Sequence, residues 1–309
     1  MHAQPNPYRL VEGWANLPPG FEWGEVGDAS FDSRGHLWVV HRRTTPGAPG
    51  ALVPPRGGDG PILEFDKSGT LIRKFGEGLF LQPHGLYVDR DDNIWITDCG
   101  KYFDVQLIPG KGYQVFKFNR DGKLLLTLGT GGVSKPGRDS FLGPTDVVVN
   151  DKGEIFVSDG HTPRPDPQNG DRIVKFSKDG KFLKEFGLHG SEPGQTYGPH
   201  RLALDSRGRL FVADRGNRRI QIFDREGPFI DQWKQFGTPS GLWIDTNDVL
   251  YVAVSSPADQ GGVKIGSARD GSLAAWVRGT SPEVVAVNAE GHIYAGLSIL
   301  QRMEKYVKR

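Results

Sequence analysis

The 309-residue chain contains a single cysteine, Cys99, and one thiol can form neither an intramolecular disulfide nor a thiolate metal cluster. The chain also lacks an excess of either charge, because 38 Lys and Arg face 37 Asp and Glu and leave a net charge of +1. Without a basic surplus to neutralise phosphates, we expect no nucleic-acid partner. No apolar run approaches the roughly 20 residues that cross a bilayer, so we expect no membrane partner either.

Glycine and proline are abundant instead, with 43 and 22 residues that fall between short apolar runs. These runs alternate apolar and polar residues with a period of two, as half-buried strands do. No window of the sequence favours an amphipathic helix of more than a turn or two. The pattern therefore predicts an all-β protein.

One unit recurs six times, and it consists of a proline, a strand, a charged turn and a second strand. Its clearest copies are PHGLYVDRDDNIWITD (83–98), PTDVVVNDKGEIFVSD (144–159) and PHRLALDSRGRLFVAD (199–214), and weaker copies begin near 26, 239 and 282. Two further strands follow in each unit, joined by an Asp-Gly or similar turn that favours a hairpin. Residues 1–309 are therefore predicted to form one domain, a six-bladed β-propeller with blades starting near 26, 83, 144, 199, 239 and 282.

Two further features bear on the ring. The run YRLVEGW (8–14) has strand character, and we expect it to pair with MEKYVKR (303–309) and close the last blade. Long insertions separate the second and third strands of the first three units, at 43–61, 99–112 and 160–171. Equivalent loops lie on one face of the disc, where gathered loops often build a binding site.

The residue after each opening proline occupies the same place on the strand that lines the channel. In blades two, four and six that residue is His84, His200 and Glu283. Alternate blades of a six-bladed ring are about 120° apart, so these three side chains are expected to converge at the axis. Two imidazoles and a carboxylate predict a divalent metal site with an open position, with Zn²⁺ as the first choice and Fe, Mn or Co left open.

A second ring of residues lies where the second strands end. Arg42 and Arg215 follow this ring in blades one and four and are expected to face each other across the channel. Paired guanidinium groups above a metal would bind a substrate carboxylate; alternatively, they pair with neighbouring aspartates and tie blades together. The aspartates Asp98, Asp159 and Asp214 are expected to be structural and to cap turns.

The repeated units resemble NHL-repeat β-propellers over nearly the whole chain. Four stretches also resemble the peptidyl-α-hydroxyglycine α-amidating lyases: VVHRR (39–43), FGEGLFLQPHGLYVDRDDNIWITD (75–98), FLGPTDVVVNDKGEIFVSDG (141–160) and PGQTYGPHRLALDSRGRLFVADRGNRRIQIF (193–223). That resemblance implies a six-bladed propeller with an axial zinc held by three histidines. It places His84 and His200 on two of the zinc positions, and Arg42 and Arg215 on the two active-site arginines.

Three residues depart from the pattern of that family. Glu283 stands where the third zinc histidine is expected, and Val284 stands where a calcium-binding aspartate is expected, so no calcium is implied. His161 stands at the place of the catalytic tyrosine after Ser-Asp-Gly. Histidine can act as a general base near neutral pH, so the resemblance implies that His161 moves a proton in an altered reaction. The disulfide cysteines of the family are also absent.

The leading hypothesis is a metal-dependent, lyase-like enzyme acting at the axis on a small molecule or peptide end that carries a carboxylate. The alternatives are a lactonase-type propeller hydrolase, which would favour calcium, and a non-catalytic NHL scaffold that binds protein or glycan. We expect a monomer. The His-Ala pair before Gln4 matches the tail of a signal-peptide cleavage site, which suggests a periplasmic or secreted protein and leaves the cytoplasm open.

Overall fold

The computed structural model describes residues 4–42, 44–45, 48–52, 60–100, 108–160 and 170–309. Within these ranges the chain forms six four-stranded antiparallel sheets, together with one short hairpin and one 3₁₀ turn at Pro257–Asp259. No helix among the described residues is long and apolar enough to cross a membrane. The all-β, six-bladed architecture predicted from the sequence is therefore confirmed.

The strands follow one another in chain order. Strand β1 (Tyr8–Val11) precedes blade one, which contains β2 (Glu25–Phe31), β3 (Leu37–Arg42), the inserted hairpin β4 (Thr44–Thr45) and β5 (Ala48–Leu52), β6 (Ile62–Phe65) and β7 (Leu71–Phe75). Blade two contains β8 (Pro83–Val88), β9 (Ile94–Asp98), β10 (Gln114–Phe118) and β11 (Leu124–Leu128). Blade three contains β12 (Pro144–Val149), β13 (Ile155–Asp159), β14 (Arg172–Phe176) and β15 (Phe182–Phe186).

The remaining blades repeat this order. Blade four contains β16 (Pro199–Leu204), β17 (Leu210–Asp214), β18 (Arg219–Phe223) and β19 (Phe229–Trp233). Blade five contains β20 (Pro239–Ile244), β21 (Val249–Val254), β22 (Gly262–Ser267) and β23 (Leu273–Val277). Blade six contains β24 (Val284–Val287), β25 (Ile293–Leu297) and β26 (Arg302–Lys308), and β1 supplies its fourth strand.

The ring is closed by strands from opposite parts of the chain. Strand β1 pairs antiparallel with β26, with Tyr8 opposite Lys308 and Val11 opposite Lys305, as the sequence predicted. The first strands of consecutive blades pack against each other around the ring, and β24 returns to β2. These six first strands therefore surround the central channel.

The hydrophobic core lies between neighbouring blades. Trp38 of blade one packs in the same cluster as Ile96 and Phe118 of blade two, and Phe156 of blade three clusters with Phe223 of blade four. Second strands such as β13 and β17 are buried along their whole length because a blade covers each face. This packing fixes how the inner strands stand relative to one another, and so it fixes the geometry at the axis.

The inner strands share an irregularity at the residues that face the axis. The pairing register shifts between Pro83 and Leu86 in blade two and between Pro199 and Leu202 in blade four. Such β-bulges re-aim a side chain that would otherwise follow the pleat. They fall where the inner strands carry the two axial histidines. In blade one the equivalent residue is Gly27, where a Cβ would lie 2.8 Å from the carbonyl oxygen of His84, so the close approach of the strands requires glycine.

Candidate metal centre at the propeller axis

Three side chains from alternate blades meet at the axis. His84 in β8, His200 in β16 and Glu283, which directly precedes β24, each offer a ligand atom, and these atoms lie within 4.8 Å of one another. The two imidazole rings stand edge to face with centroids 5.0 Å apart. Nε2 of His200 lies 3.2 Å from Oε1 of Glu283, and the Glu283 side chain is 20% exposed whereas that of His200 is 1% exposed. The arrangement is therefore buried on the histidine side and open beside the carboxylate.

Backbone carbonyls fix the orientation of both imidazole rings. Nδ1 of His84 lies 2.9 Å from the carbonyl oxygen of Thr145, and Nδ1 of His200 lies 2.9 Å from that of Ser240. A carbonyl oxygen can only accept a hydrogen bond, so Nδ1 of His200 carries the proton and its Nε2 is the acceptor nitrogen. At His84 the carbonyl contact fixes the ring in the same way, and Nδ1 there also faces an N–H of Arg201. Histidines that bind metals are typically held this way, with the outer ring nitrogen donating to a carbonyl or carboxylate.

The electrostatics of the site favour ligand forms without protons. Burial, followed by the nearby charge of Arg215, lowers the pKa of His200 to about 4. Burial alone would raise the pKa of Glu283, but its close contact with His200 and the charge of Arg215 outweigh burial and hold that pKa well below its usual range. Neutral imidazole and ionised carboxylate are the forms that bind a divalent metal, so the donor set fits such an ion.

Two arginines flank this carboxylate. Arg215, directly after β17, donates from Nη1 to Oε1 of Glu283 at 3.3 Å and lies 3.2 Å from Nε2 of His200. Arg42, at the end of β3, is buried, and its Nη2 lies 3.4 Å from Glu25. Within the described part of the chain, Nε of Arg42 has no hydrogen-bond partner. The arginines thus pair with glutamates rather than with the neighbouring aspartates that the sequence suggested as an alternative.

The aspartates at the ends of the second strands accept hydrogen bonds from backbone N–H groups. Asp98 accepts hydrogen bonds from the N–H groups of Leu81 and Gln82, at 2.8 and 2.7 Å. Asp159 accepts from the N–H groups of residues 142 and 143 in the same manner. Each aspartate therefore secures the loop that enters its own blade, in agreement with the structural role expected from the sequence.

The predicted proton-transfer residue, His161, lies outside the described residues. So do most of the residues of the three insertions, including 53–59, 101–107 and 161–169. The structure therefore brings together five of the six predicted site residues: His84, His200, Glu283, Arg42 and Arg215.

Sequence reasoning missed a buried charged cluster next to this site. Arg201 follows His200 and is 2% exposed, and its Nε lies 3.3 Å from Oδ2 of Asp28. Burial raises the pKa of Asp28, and it raises the pKa of Asp146 to about 8. The three charged side chains also line a cavity of about 240 Å³ that is otherwise walled by inner-strand residues. The signal that could have found them is the residue two places after the start of each unit, where five units open with proline and the first with Val26. These residues are Asp28, Gly85, Asp146, Arg201, Gly241 and Val284 in turn.

A second group of possible ligands is a weaker candidate. Asp32, His36 and Glu64 also place ligand atoms within 4.8 Å of one another. Nη2 of Arg34 lies 3.0 Å from Asp32 and 2.7 Å from Glu64, and Nη2 of Arg120 lies 3.4 Å from Asp32. These carboxylates are already neutralised by arginines, so we interpret the group as an ion-pair network.

The fold defines the class of the protein, a six-bladed β-propeller, and two of its segments match the NHL repeat. The family model for the NHL repeat matches residues 80–102 and 196–223, the segments that carry His84 and His200. The chain resembles the amidating lyases as well. It is 32% identical over 305 residues to peptidyl-glycine alpha-amidating monooxygenase A of Xenopus laevis, covering 88% of this chain and 30% of that protein.

Two other relatives extend this comparison. Peptidyl-alpha-hydroxyglycine alpha-amidating lyase 1 of Drosophila melanogaster is 32% identical over 234 residues, covering 68% of this chain and 40% of the lyase. NHL repeat-containing protein 3 of Homo sapiens is 32% identical over 240 residues, covering 76% of this chain and 62% of that protein. The chain thus spans less than two thirds of the length of each of these relatives.

Solved structures share the architecture at low sequence identity. A gluconolactonase from Xanthomonas campestris superposes with a TM-score of 0.66 at 15% identity, covering 99% of this chain and 91% of that one. A streptogramin B lyase superposes with a TM-score of 0.62 at 13% identity, covering 98% of both chains. At these identities the two structures show the fold alone.

Proposed function

We propose that the protein is a metal-dependent, lyase-like enzyme that acts at the propeller axis on a carboxylate-bearing small molecule or peptide end. One observation carries this proposal: backbone carbonyls hold Nδ1 of both His84 and His200, and ligand atoms of the two rings converge with the Glu283 carboxylate. Three acceptors that converge in this way, two of them buried, are stabilised by a cation. The similarity to amidating lyases supports a lyase over other reaction classes.

His84, His200 and Glu283 would hold the metal. Zn²⁺ is the first choice because imidazole and carboxylate are among its ordinary ligands, and three protein ligands leave a position for substrate. When bound, the ion would supply a Lewis acid that polarises a hydroxyl or carbonyl oxygen of the substrate. The deprotonated state of His200 and Glu283 near neutral pH suits them to this role.

Arg42 and Arg215 would bind the substrate carboxylate and orient it. Arg42 is held by Glu25 at one end and has an Nε without a hydrogen-bond partner among the described residues, so it retains a donor for an anion. Arg215 is 33% exposed and can turn toward a ligand in the mouth of the channel. Guanidinium forks suit carboxylates because they offer two parallel N–H donors.

We assign proton transfer to His161, on the family resemblance alone. Glu283 and His161 replace a histidine and a tyrosine of the amidating lyases, and both are reacting groups. We therefore propose the substrate as a class, a carboxylate-bearing molecule whose hydroxyl or carbonyl is polarised, and not as one compound. A peptide ending in α-hydroxyglycine belongs to this class and is a suitable first assay substrate.

Two alternatives each have one observation in their favour. Glu283 adds an oxygen ligand, which suits calcium and a lactonase-type hydrolase better than three imidazoles would. The hydrogen bond from Arg215 to Glu283, together with its approach to His200, partly satisfies these acceptors without an ion, which favours a non-catalytic scaffold.

Metal analysis of the purified protein separates the three proposals. After dialysis against Zn²⁺ and then buffer, we expect one zinc per chain in the wild type and in Ser240→Ala, which alters the same ring position in blade five. His84→Ala and Glu283→Ala should lose the ion. Preferential retention of calcium would support the hydrolase, and a wild type that retains no metal would overturn the enzyme proposal in favour of the scaffold.

A further inference from the structure

Arg201 lies beside the metal centre and touches the backbone of the same ring of residues that carries the ligands. Its Nη2 donates to the carbonyl oxygen of Gly27 in blade one. Its Nη1 lies 3.1 Å from the carbonyl oxygen of His200 in blade four and 3.4 Å from that of Thr145 in blade three. All three carbonyls belong to residues at one ring position, the position that His84 occupies in blade two.

Arg201 also reaches the imidazole of blade two. Its Nη1 lies 3.1 Å from Nδ1 of His84, the nitrogen that also contacts the carbonyl oxygen of Thr145. The arginine and the histidine thus share one acceptor, so the guanidinium fixes the position of the carbonyl that orients the His84 ring. A single side chain therefore joins blades one, two, three and four at the axis.

We propose that Arg201 is a positioning residue that sets the separation of His84 and His200 for metal binding. The inference rests on the proposed metal-binding function. An arginine suits this position because its five N–H donors lie in one rigid plane and can serve several carbonyls at once, which an ammonium group cannot do.

Asp28 explains how so buried a charge is tolerated. An uncompensated charge would be strongly destabilising at this depth, and Asp28 provides the compensation at 3.3 Å. Oδ2 of Asp28 also accepts from the N–H of Leu86 in blade two, at 2.9 Å, and Oδ2 of Asp146 accepts from the N–H of Leu202 in blade four, at 2.8 Å. Asp28 and Asp146 therefore each connect neighbouring inner strands beside Arg201.

Arg219 provides a matched control within the same blade. It is 3% exposed, and it binds Asp214 at 2.7 Å, Gln232 at 2.7 Å and two loop carbonyls. It thus resembles Arg201 in burial and in its number of partners, but none of those partners is an axial ligand. Its replacement should destabilise the fold without altering the metal centre.

The experiment compares Arg201→Met, Arg201→Lys and Arg219→Met. Zn²⁺ affinity is measured by competition with a chromophoric chelator, and unfolding of the metal-free protein is measured in urea. We expect Arg201→Met to lower Zn²⁺ affinity by about 10- to 100-fold, as loss of an outer-shell partner of a metal ligand typically does, and Arg201→Lys to restore part of it. Arg219→Met should reduce stability and leave Zn²⁺ affinity unchanged.

A second readout needs no metal. Imidazole ¹⁵N NMR of the metal-free wild type should show His200 protonated on Nδ1, and Arg201→Met should change the tautomer balance of His84 while Arg219→Met does not. If Arg201→Met does not fold, Arg201→Lys is the test variant, because it keeps the charge without the planar fork.

The outcomes distinguish this inference from the proposed function. Wild-type Zn²⁺ binding that is unchanged in the Arg201 variants would overturn the positioning role and leave the metal proposal intact. Absence of Zn²⁺ binding in the wild type would overturn the metal proposal. In that case the imidazole ¹⁵N NMR alone tests whether Arg201 positions His84. An unchanged tautomer balance of His84 in Arg201→Met would overturn the positioning role as well.

Discussion

Two rings of buried polar side chains surround the same mouth of the channel, and they differ in where their acceptor atoms point. In the aspartate ring, Asp98 and Asp159 accept hydrogen bonds from backbone N–H groups of their own blades. In the ligand ring, His84, His200 and Glu283 turn acceptor atoms toward one another. Burial of a polar group therefore does not identify a functional site; acceptors that face each other across a shared centre do.

The comparison predicts opposite consequences for the two rings. Side chains whose acceptor atoms already receive hydrogen bonds from the protein should contribute to stability and not to metal binding. Side chains whose acceptors converge should matter for metal binding and much less for stability. Four measurements test this contrast.

The largest effect on stability is expected from Asp214→Ala. Asp214 accepts from the N–H of Tyr197 at 2.7 Å and from Arg219 at 2.7 Å, so its removal leaves a buried guanidinium without its carboxylate. We expect a loss of about 3–5 kcal/mol in the free energy of unfolding, measured in urea. Asp121→Ala, at an aspartate that is 82% exposed, should change stability by no more than about 0.5 kcal/mol. A cost for Asp214→Ala as small as that of the control would contradict the structural role.

His200→Ala should have the largest effect on metal binding. Removal of a direct ligand should exceed the effect of losing an outer-shell partner, so Zn²⁺ affinity should fall by at least about 100-fold. The increase in melting temperature on addition of Zn²⁺ should disappear as well. The control is Ser240→Ala, which removes a hydroxyl 2.6 Å from that of Ser255 and keeps the backbone carbonyl that contacts His200. If both variants bind Zn²⁺ as the wild type does, the ligand ring is wrongly assigned.

The pH dependence of metal binding should be shifted toward acid. Burial, then Arg215, lowers the pKa of His200 from 6.5 to about 4, so Zn²⁺ competes with few protons at pH 5.5 and is released toward pH 4. Between these pKa values the unfolded state binds more protons, so the contribution of His200 to stability decreases as pH falls from 6.5 to about 4. Equilibrium dialysis across this range measures release. Arg215→Gln should move release to higher pH, and an unchanged midpoint would argue against the electrostatic role of Arg215.

The smallest effect is expected at Cys99, which directly follows the aspartate ring. Burial raises the pKa of its thiol to about 12, and its Sγ lies 3.5 Å from the carbonyl of Gln82. A buried thiol with so high a pKa is unreactive, so we expect no labelling by a thiol reagent in the native protein and full labelling in urea. Cys99→Ala should cost about 1 kcal/mol and leave Zn²⁺ affinity unchanged. Rapid native labelling would show that the mouth of the channel is more open than the structure has it.

The sequence was sufficient for the fold and for the ligand ring because both depend on repetition. Period-two alternation marks the strands, and the opening proline sets a common register, so equal positions such as His84 and His200 can be compared between units by counting residues. Closure of the ring by the segment around Tyr8 followed from the same strand pattern. The convergence at the axis then follows from the symmetry of the ring.

The remaining features of the candidate site depend on structural details that the repeat pattern of the sequence does not contain. The pairing of Arg42 with Glu25 is visible only when the register of β2 and β3 is known, since the two residues stand opposite each other. Arg201 lies in a register shift between Pro199 and Leu202, and a charged residue in a strand otherwise suggests a solvent-facing position. The insertions have no periodicity from which a structure could be predicted, and His161 lies in one of them.

The pairing of β1 with β26 has a consequence for how the protein is made. As the chain leaves the ribosome, β1 emerges first but has no partner until β26 has been synthesised, because Tyr8 pairs with Lys308. Five blades can complete their own four strands during translation, whereas the sixth must wait. Until then Glu283 stands next to an unfinished sheet, so the proposed metal ligands of blades two and four are in place before the third. Synthesis of β26 thus decides when the nascent ring, and with it the proposed metal centre, can be completed.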